Sequence, residues 1–362
     1  MTRSPTASVP DAVTAKFPSD KFAFGYRPEE TVEADERIAG ETTTLDAAGR
    51  HTLSQPTQAG VDVPYVYRFE GDVEDVSRQH IANRSSVTVY PAPWQIGVSR
   101  PSYFVDAATG ASVNVVAVAH DGAVVPGVTV ALSLIRTQWN SVRRAEGSGF
   151  YTWETERIDV PAGNWSITSG AAPVPHALTF KEGGFYSLRA EATDGTRRTR
   201  TDVSFYVLGR GYTAWERYDH NRITLEPEKP TWRPGERARI MIQSPWETAT
   251  ALLTVEREGI RRYERFALTS TQQTVEVPVT EEDIPNLFVS VLLVRGRSSQ
   301  DPGADGDDPG KPAFRLGYTE IVVEDATKRL TVAVTADRAE YRPANQAKVS
   351  VAVTTLAGRP AA

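Results

Sequence analysis

Four aspartates crowd one stretch of the chain. Asp301, Asp305, Asp307 and Asp308 lie in RSSQDPGADGDDPGKP, residues 297–312, and several carboxylate oxygens close together are what a hard cation such as calcium takes. The ligand order of an EF-hand is not met. With Asp301 as the first ligand, the third position is Gly303 and the twelfth is Pro312, where a bidentate glutamate is needed. A segment this rich in Asp, Gly and Pro cannot bury enough apolar surface to fix itself. The expectation is a solvated acidic loop, and exposed tips of that kind are where proteases cut. Asp301, Asp305, Asp307 and Asp308 are therefore the candidate protease-exposed residues.

No other spacing points to catalysis. The five histidines (His51, His80, His120, His176 and His220) form no i, i+2 or i, i+4 pair and read as surface or turn residues. Gly147, Ser148 and Gly149 lack the Gly-x-Ser-x-Gly spacing of a nucleophile elbow. There is no phosphate-binding loop, dinucleotide fingerprint or His-Glu-x-x-His. Asp72, Glu74 and Asp75 fall at a strand end, where exposure explains them without an acid/base pair. Cysteine is absent, which excludes a thiolate nucleophile, a Cys-ligated zinc and a thioester within these residues. The chain is expected not to be an enzyme, with no catalytic residue, cofactor or metal. One aromatic and basic region remains. Trp139, Phe150, Tyr151, Trp153 and Trp165, with Arg136, Arg143, Arg144 and Arg157, suggest either a ligand surface of stacked rings or an insertion hairpin whose rings pack on a neighbour. Packing is the ordinary role of alternating aromatics in strands.

The elements that carry these residues are strands. In residues 221–262 Ile223 and Leu225 alternate with polar neighbours, Pro230 to Glu236 marks a corner, and alternation resumes at Ala238, Ile240 and Ile242. Period-two alternation cut by Pro/Gly turns every ten or so residues is the pattern of antiparallel sheet sandwiches. Proline fixes its own backbone and drives the preceding residue into extended geometry, so the chain turns without forming a helix. The corner recurs: Tyr341, Arg342 and Pro343 repeat Trp232, Arg233 and Pro234, and Tyr103 takes the aromatic place in a looser copy. Repetition at about one domain length indicates tandem domains.

A chain of 362 residues has room for two to four such domains. Its net charge of −6 is spread along the sequence and argues against a nucleic-acid surface. No apolar run approaches the roughly 18 residues of a membrane helix. Residues 1–18 lack the apolar core of a secretory signal and read as a loop or a truncated edge. The expected organisation is a tail over 1–20 and strand-rich units over 21–96, 97–210 and 221–326, the last carrying the loop 297–312. A fourth unit opens at 327 and stops at 362 after two or three strands, as expected of a piece of a longer chain. Asp121-Gly122 predicts a hairpin joining residues 113–119 to 128–134, and Asp194-Gly195 another. Tyr212, Trp215 and Tyr218 are expected to stiffen the linker 209–218.

The segment RPGERARIMIQSPWETATALLTVEREGIRRY resembles the macroglobulin-type domains of bacterial alpha-2-macroglobulins. The carriers are Pro234-Gly-Glu236, Ser244-Pro-Trp246, the strand 251–260 and LGYTEIVVED at 316–325. Further matches are GDVEDVSRQHIANRSSVTVYPA at 71–92 and GFYSLRAEATDGTRRTRTDVSFYVLGRG at 184–211. The resemblance covers about residues 20 to 362. It implies an all-β chain of tandem antiparallel, immunoglobulin- or fibronectin III-like macroglobulin sandwiches, including the bait-region-domain type. It also implies that the chain is a scaffold portion of a broad-spectrum endopeptidase trap, whose partners are the trapped endopeptidases and the remaining modules of the parent. The parent would be periplasmic, envelope-anchored or secreted in a bacterium. In the family the bait lies further toward the C-terminus and the thioester in a helical domain, so no functional residue carries over. The rival reading is a surface adhesin or carbohydrate-binding array built on the aromatics between Trp139 and Trp165. Rings clustered on one exposed face would favour it.

Overall fold

A computed structural model describes residues 1–26, 35–145, 151–209, 213–216, 220–298, 310–324, 329–355 and 358–361. The chain divides into two compact units, Met1–Asn140 with Thr155–Ala214, and Ser141–Glu154 with Trp215–Ala362. Among the described residues no helix is long and apolar enough to cross a membrane.

The first unit contains β1 (Thr2–Pro5), α1 (Asp11–Lys16), β2 (Phe22–Phe24), β3 (Glu36–Arg37), β4 (Tyr65–Glu74), β5 (His80–Val89), β6 (Trp94–Ser99), β7 (Phe104–Asp106), β8 (Ala111–Ala119), β9 (Thr129–Ala145), β10 (Tyr151–Thr168), β11 (Val174–Leu178), β12 (Gly184–Asp194) and β13 (Arg197–Leu208). A four-stranded sheet β11-β8-β6-β2 packs on a five-stranded sheet β10-β9-β12-β13-β7. The alternation does what a sandwich asks of it. In β12 Tyr186, Leu188 and Ala190 are buried while Phe185, Ser187 and Arg189 are half-exposed, as period two requires. A separate sheet, β3-β1-β4-β5, is built from the N-terminal strand and the long β4–β5 hairpin. That hairpin turns at Asp75–Gln79, where the Asp75 carboxylate accepts the backbone N–H groups of Ser77 and Gln79.

Residues 1–18 are not a loop. β1 pairs with β4, and α1 places Val13 and Phe17 over Val116 and Val118. Val9, Val13 and Phe17 have the four-residue spacing of a helix face, but a helix of six residues set between Pro10 and Pro18 is too short to announce itself and owes its existence to packing. The same contact explains the continuous apolar run of β8. Val113, Val115 and Ala117 face the sandwich core while Val116 and Val118 lie under α1, so both faces are dry.

The β8–β9 hairpin expected at Asp121-Gly122 does not form. The tight turn is there, with Gly122 at φ +81° and Gly122 N–H donating to Ala119 O at 2.9 Å. However, Pro126 and Gly127 (φ +84°) carry the chain across to the other sheet. Each strand's apolar face already points into the shared core, so pairing across the core satisfies both better than pairing side by side. The Asp194-Gly195 hairpin forms as expected, joining β12 to β13.

The second unit contains β14 (Leu225–Pro227), β15 (Thr231–Trp232), β16 (Arg237–Ile242), β17 (Ala249–Glu256), β18 (Ile260–Leu268), β19 (Thr274–Pro278), β20 (Asn286–Arg295), β21 (Ala313–Val323), β22 (Leu330–Ala336) and β23 (Val349–Thr355). Here β14-β16-β19 packs on β15-β21-β20-β17-β18 around one apolar core, and β22 and β23 form a two-stranded sheet of their own.

The corners are structural equivalents with one correction. In each sandwich the strands flanking the corner pair antiparallel, β6 with β8 and β14 with β16. The corner itself crosses over and runs parallel to the last strand, β7 along β13 and β15 along β21. The aromatic this buries is Trp232 in the second unit (2% exposed) and Phe104 in the first (0% exposed), whereas Tyr103, expected there, is 39% exposed. β22 and β23 pair antiparallel around Tyr341 in the same way, and their apolar residues Leu330, Val332, Val334, Val349 and Val351 are exposed.

Candidate functional site

Asp301, Asp305, Asp307 and Asp308 lie outside the described residues. The structure does place the root of their loop. β20 and β21 pair up to Arg295↔Ala313, and Ser298 N–H donates to Gly310 O at 3.0 Å, so the two described ends of the segment lie side by side at one end of the second sandwich. Trp246 supports that root. Its ring is flanked by the guanidinium groups of Arg295 at 4.9 Å and Arg315 at 5.3 Å, a cation–π arrangement that holds both strand ends. The Trp246 backbone is pinned in turn, since Ser244 Oγ accepts its N–H at 3.0 Å and donates to its carbonyl at 2.7 Å. Arg315 also donates to Asn221 Oδ1 at 2.8 Å. Nothing in the spacing of Trp246, Arg295 and Arg315 announces this cluster. The Ser-Pro-Trp motif was the one visible sign.

The histidines do not converge. His51 faces Glu41, His80 faces Asp72 at 3.2 Å and His220 accepts the Arg222 N–H at 3.1 Å. His120 sits in a turn, as expected, while His176 lies within β11, and both are half-buried. His120 stacks on Tyr90 at 4.2 Å, His176 meets the edge of Trp165 at 4.9 Å, and burial holds both imidazoles below their usual pKa. An apolar ring wall shields each of them, which spacing along the chain does not reveal. Asp72, Glu74 and Asp75 are exposed on the β4–β5 hairpin. No group of three or more His, Asp or Glu able to hold a metal occurs among the described residues. Gly147, Ser148 and Gly149 lie outside them.

The aromatic region divides. Trp139 packs against Phe185 at 6.0 Å, and Phe185 against Tyr206 at 5.2 Å. Trp165 lies against the core of the first sandwich beside His176. The two tryptophans thus have different neighbours and share no common shelf. Arg144 is paired with Glu154 at 2.6 Å and Arg157 with Asp159 at 3.1 Å. Phe150 and the side chains of Arg143, Tyr151 and Trp153 lie outside the described residues. In the linker, Tyr212 and Tyr218 also lie outside them, while Trp215 is buried in the second unit and its indole N–H donates to Thr271 O at 2.7 Å.

Among the described residues the titratable groups named above do not converge. Residues 223–358 match the family model of the alpha-2-macroglobulin bait region domain. An alpha-2-macroglobulin homolog of Nostoc sp. is 26% identical over 349 residues, covering 94% of this chain and 18% of the homolog. One of Deinococcus radiodurans is 25% identical over 333 residues, covering 90% of this chain and 30% of the homolog. The chain therefore spans less than a third of either curated alpha-2-macroglobulin relative. Among solved structures, native E. coli alpha-2-macroglobulin is similar over 99% of this chain and 22% of its own, at 19% identity and a TM-score of 0.40. Salmonella alpha-2-macroglobulin reacted with methylamine is similar over 99% and 23%, at 19% identity and a TM-score of 0.41. The matched residues 223–358 contain the root cluster of Trp246, Arg295 and Arg315.

Proposed function

We propose that this chain is a structural portion of an alpha-2-macroglobulin-like endopeptidase trap. It holds macroglobulin-type sandwiches in place and performs no chemistry of its own. The observation that carries the reading is the match of residues 223–358 to the bait region domain, in which the described residues form a two-layered sandwich whose β20 and β21 ends are braced by Trp246, Arg295 and Arg315. The modules are strand-rich units over 21–96, 97–210 and 221–326, with residues 327–362 supplying the first strands of a further one. The exposed apolar side chains of β22 and β23 support the last point, since the equivalent residues Ile96, Val98, Ala238 and Ile240 are fully buried under a second sheet. The parent's partners are attacking endopeptidases and its own further modules, and its compartment is outside the bacterial cytoplasm.

The test is to incubate the gene product carrying this chain with several endopeptidases. A trap leaves hydrolysis of a small chromogenic peptide intact while digestion of a large protein substrate falls. Equal retention of both activities rejects the reading. Residues 1–362 alone are expected to inhibit neither. A finer test is limited proteolysis of residues 1–362 by proteases of different specificity, with mass spectrometry of the first products. The first cuts are expected within 297–312. First cuts inside β12, β13 or β20 would remove Asp301, Asp305, Asp307 and Asp308 as the protease-exposed tip.

A further inference from the structure

The first unit contains a polar junction that no function above uses. Its N-terminal segment, the stretch around Asp62 and the sandwich strands β2, β6 and β13 meet around a narrow cavity lined by Ser8, Tyr26, Asp62, Gln95, Thr199 and Arg200, among others. Most polar groups there are satisfied. Gly25 N–H donates to Thr201 Oγ1 at 2.9 Å, which donates to Ile96 O at 2.6 Å. Arg198 pairs with Asp62 at 2.8 Å, and Arg200 bonds Asp202 at 2.8 Å while its guanidinium lies 3.9 Å above the Tyr26 ring. One group is not satisfied. Gln95 is 7% exposed on β6, and its Oε1 is buried with no protein donor.

A buried amide oxygen without a donor is costly, and native structures answer it with an ordered water where the site is polar and large enough. The cavity beside Gln95 measures about 20 Å³, against the roughly 10–15 Å³ that one water requires. Asp62 and Arg200 are already engaged, and the positive charges of Arg198 and Arg200 disfavour a cation, so the space suits a single neutral donor. We infer that this cavity is a specific site for one buried water, which donates to Gln95 Oε1 and is shared with the neighbouring polar lining. That water ties the first 64 residues to the first sandwich, because the cavity walls come from both.

A map of residues 1–362 at a resolution that shows ordered solvent tests this directly. The expected result is a water within hydrogen-bonding distance of Gln95 Oε1 and of a second lining group. An empty cavity, or a Gln95 amide turned so that its nitrogen donates to a protein carbonyl, overturns it. Hydrogen exchange gives an independent reading. Gln95→Leu and Thr199→Val are each expected to speed exchange of the amides at residues 6–9, 25 and 26 by about tenfold, as the joint opens locally. If the site were dry, Gln95→Leu would remove an unsatisfied polar group, and exchange would stay unchanged or slow down.

Discussion

The outer faces of the two five-stranded sheets differ although the sheets are built alike. In the first unit the outer positions of β12 and β13 are Ser187, Arg189, Ser204 and Asp202, tied by Arg189 to Asp202 at 3.5 Å and Arg200 to the same carboxylate. In the second, the matching face carries Leu252, Val294, Phe314, Leu316 and Tyr318, all exposed, with Tyr318 stacked on Phe288 at 5.5 Å. Inner faces are interchangeable in kind, both Val, Leu and Ile. An inner face answers to its own core, while an outer face answers to whatever medium meets it. The first face is polar around Asp202 and carries the Trp139, Phe185 and Tyr206 rings at one end, whereas the second exposes its apolar side chains, and an exposed apolar patch marks an interaction surface.

The sharpest break of this symmetry is at the corners. Trp232→Ala and Phe104→Ala each empty a filled core and should cost about 3–5 kcal/mol in their own unit, whereas Tyr341→Ala should cost within about 0.5 kcal/mol. Thermal unfolding followed by calorimetry distinguishes them, and equal costs for all three would deny that β22 and β23 differ from the closed sandwiches. A middle-sized effect separates the outer faces. Asp202→Ala strands two half-buried guanidinium groups and should destabilise the first unit by about 1–3 kcal/mol. Leu316→Ser should leave stability within about 0.5 kcal/mol while lowering binding of an apolar fluorescent dye. If Leu316→Ser proves as damaging as Asp202→Ala, the second face is core and not surface.

The smallest effect sets the two units on opposite pH slopes. Burial lowers the pKa of His120 and His176 in the first unit and raises that of Glu226 in the second. The folded first unit resists a proton that the unfolded chain accepts, so its stability is full above about pH 6.5 and falls as pH drops below that value. Folded Glu226 favours the protonated form, so its contribution is full below the unfolded value of 4.5 and lost as pH rises through its raised pKa. Exchange rates measured unit by unit between pH 4 and 8 should show the opposed slopes, and Glu226→Gln should flatten the second.

Much of the fold was visible in one dimension. Strand existence followed from alternation in β12, β16, β17 and β20, and the corners from proline beside an aromatic. The root cluster was not visible. Trp246, Arg295 and Arg315 meet only because β20 and β21 end side by side, and their separation along the chain hides it.

Residue order by itself determined which segments are strands and where they bend. Those are local matters of backbone torsion, period and side-chain type. Only the tertiary structure decided that β8 and β9 part company, that Phe104 and not Tyr103 turns inward, that α1 exists, and that one outer face is polar while the other is apolar. The physical reason is that strand pairing uses backbone groups common to every residue. Alternation says that a strand has a dry side, but the partner that keeps it dry is chosen by the competition of all strands for one core.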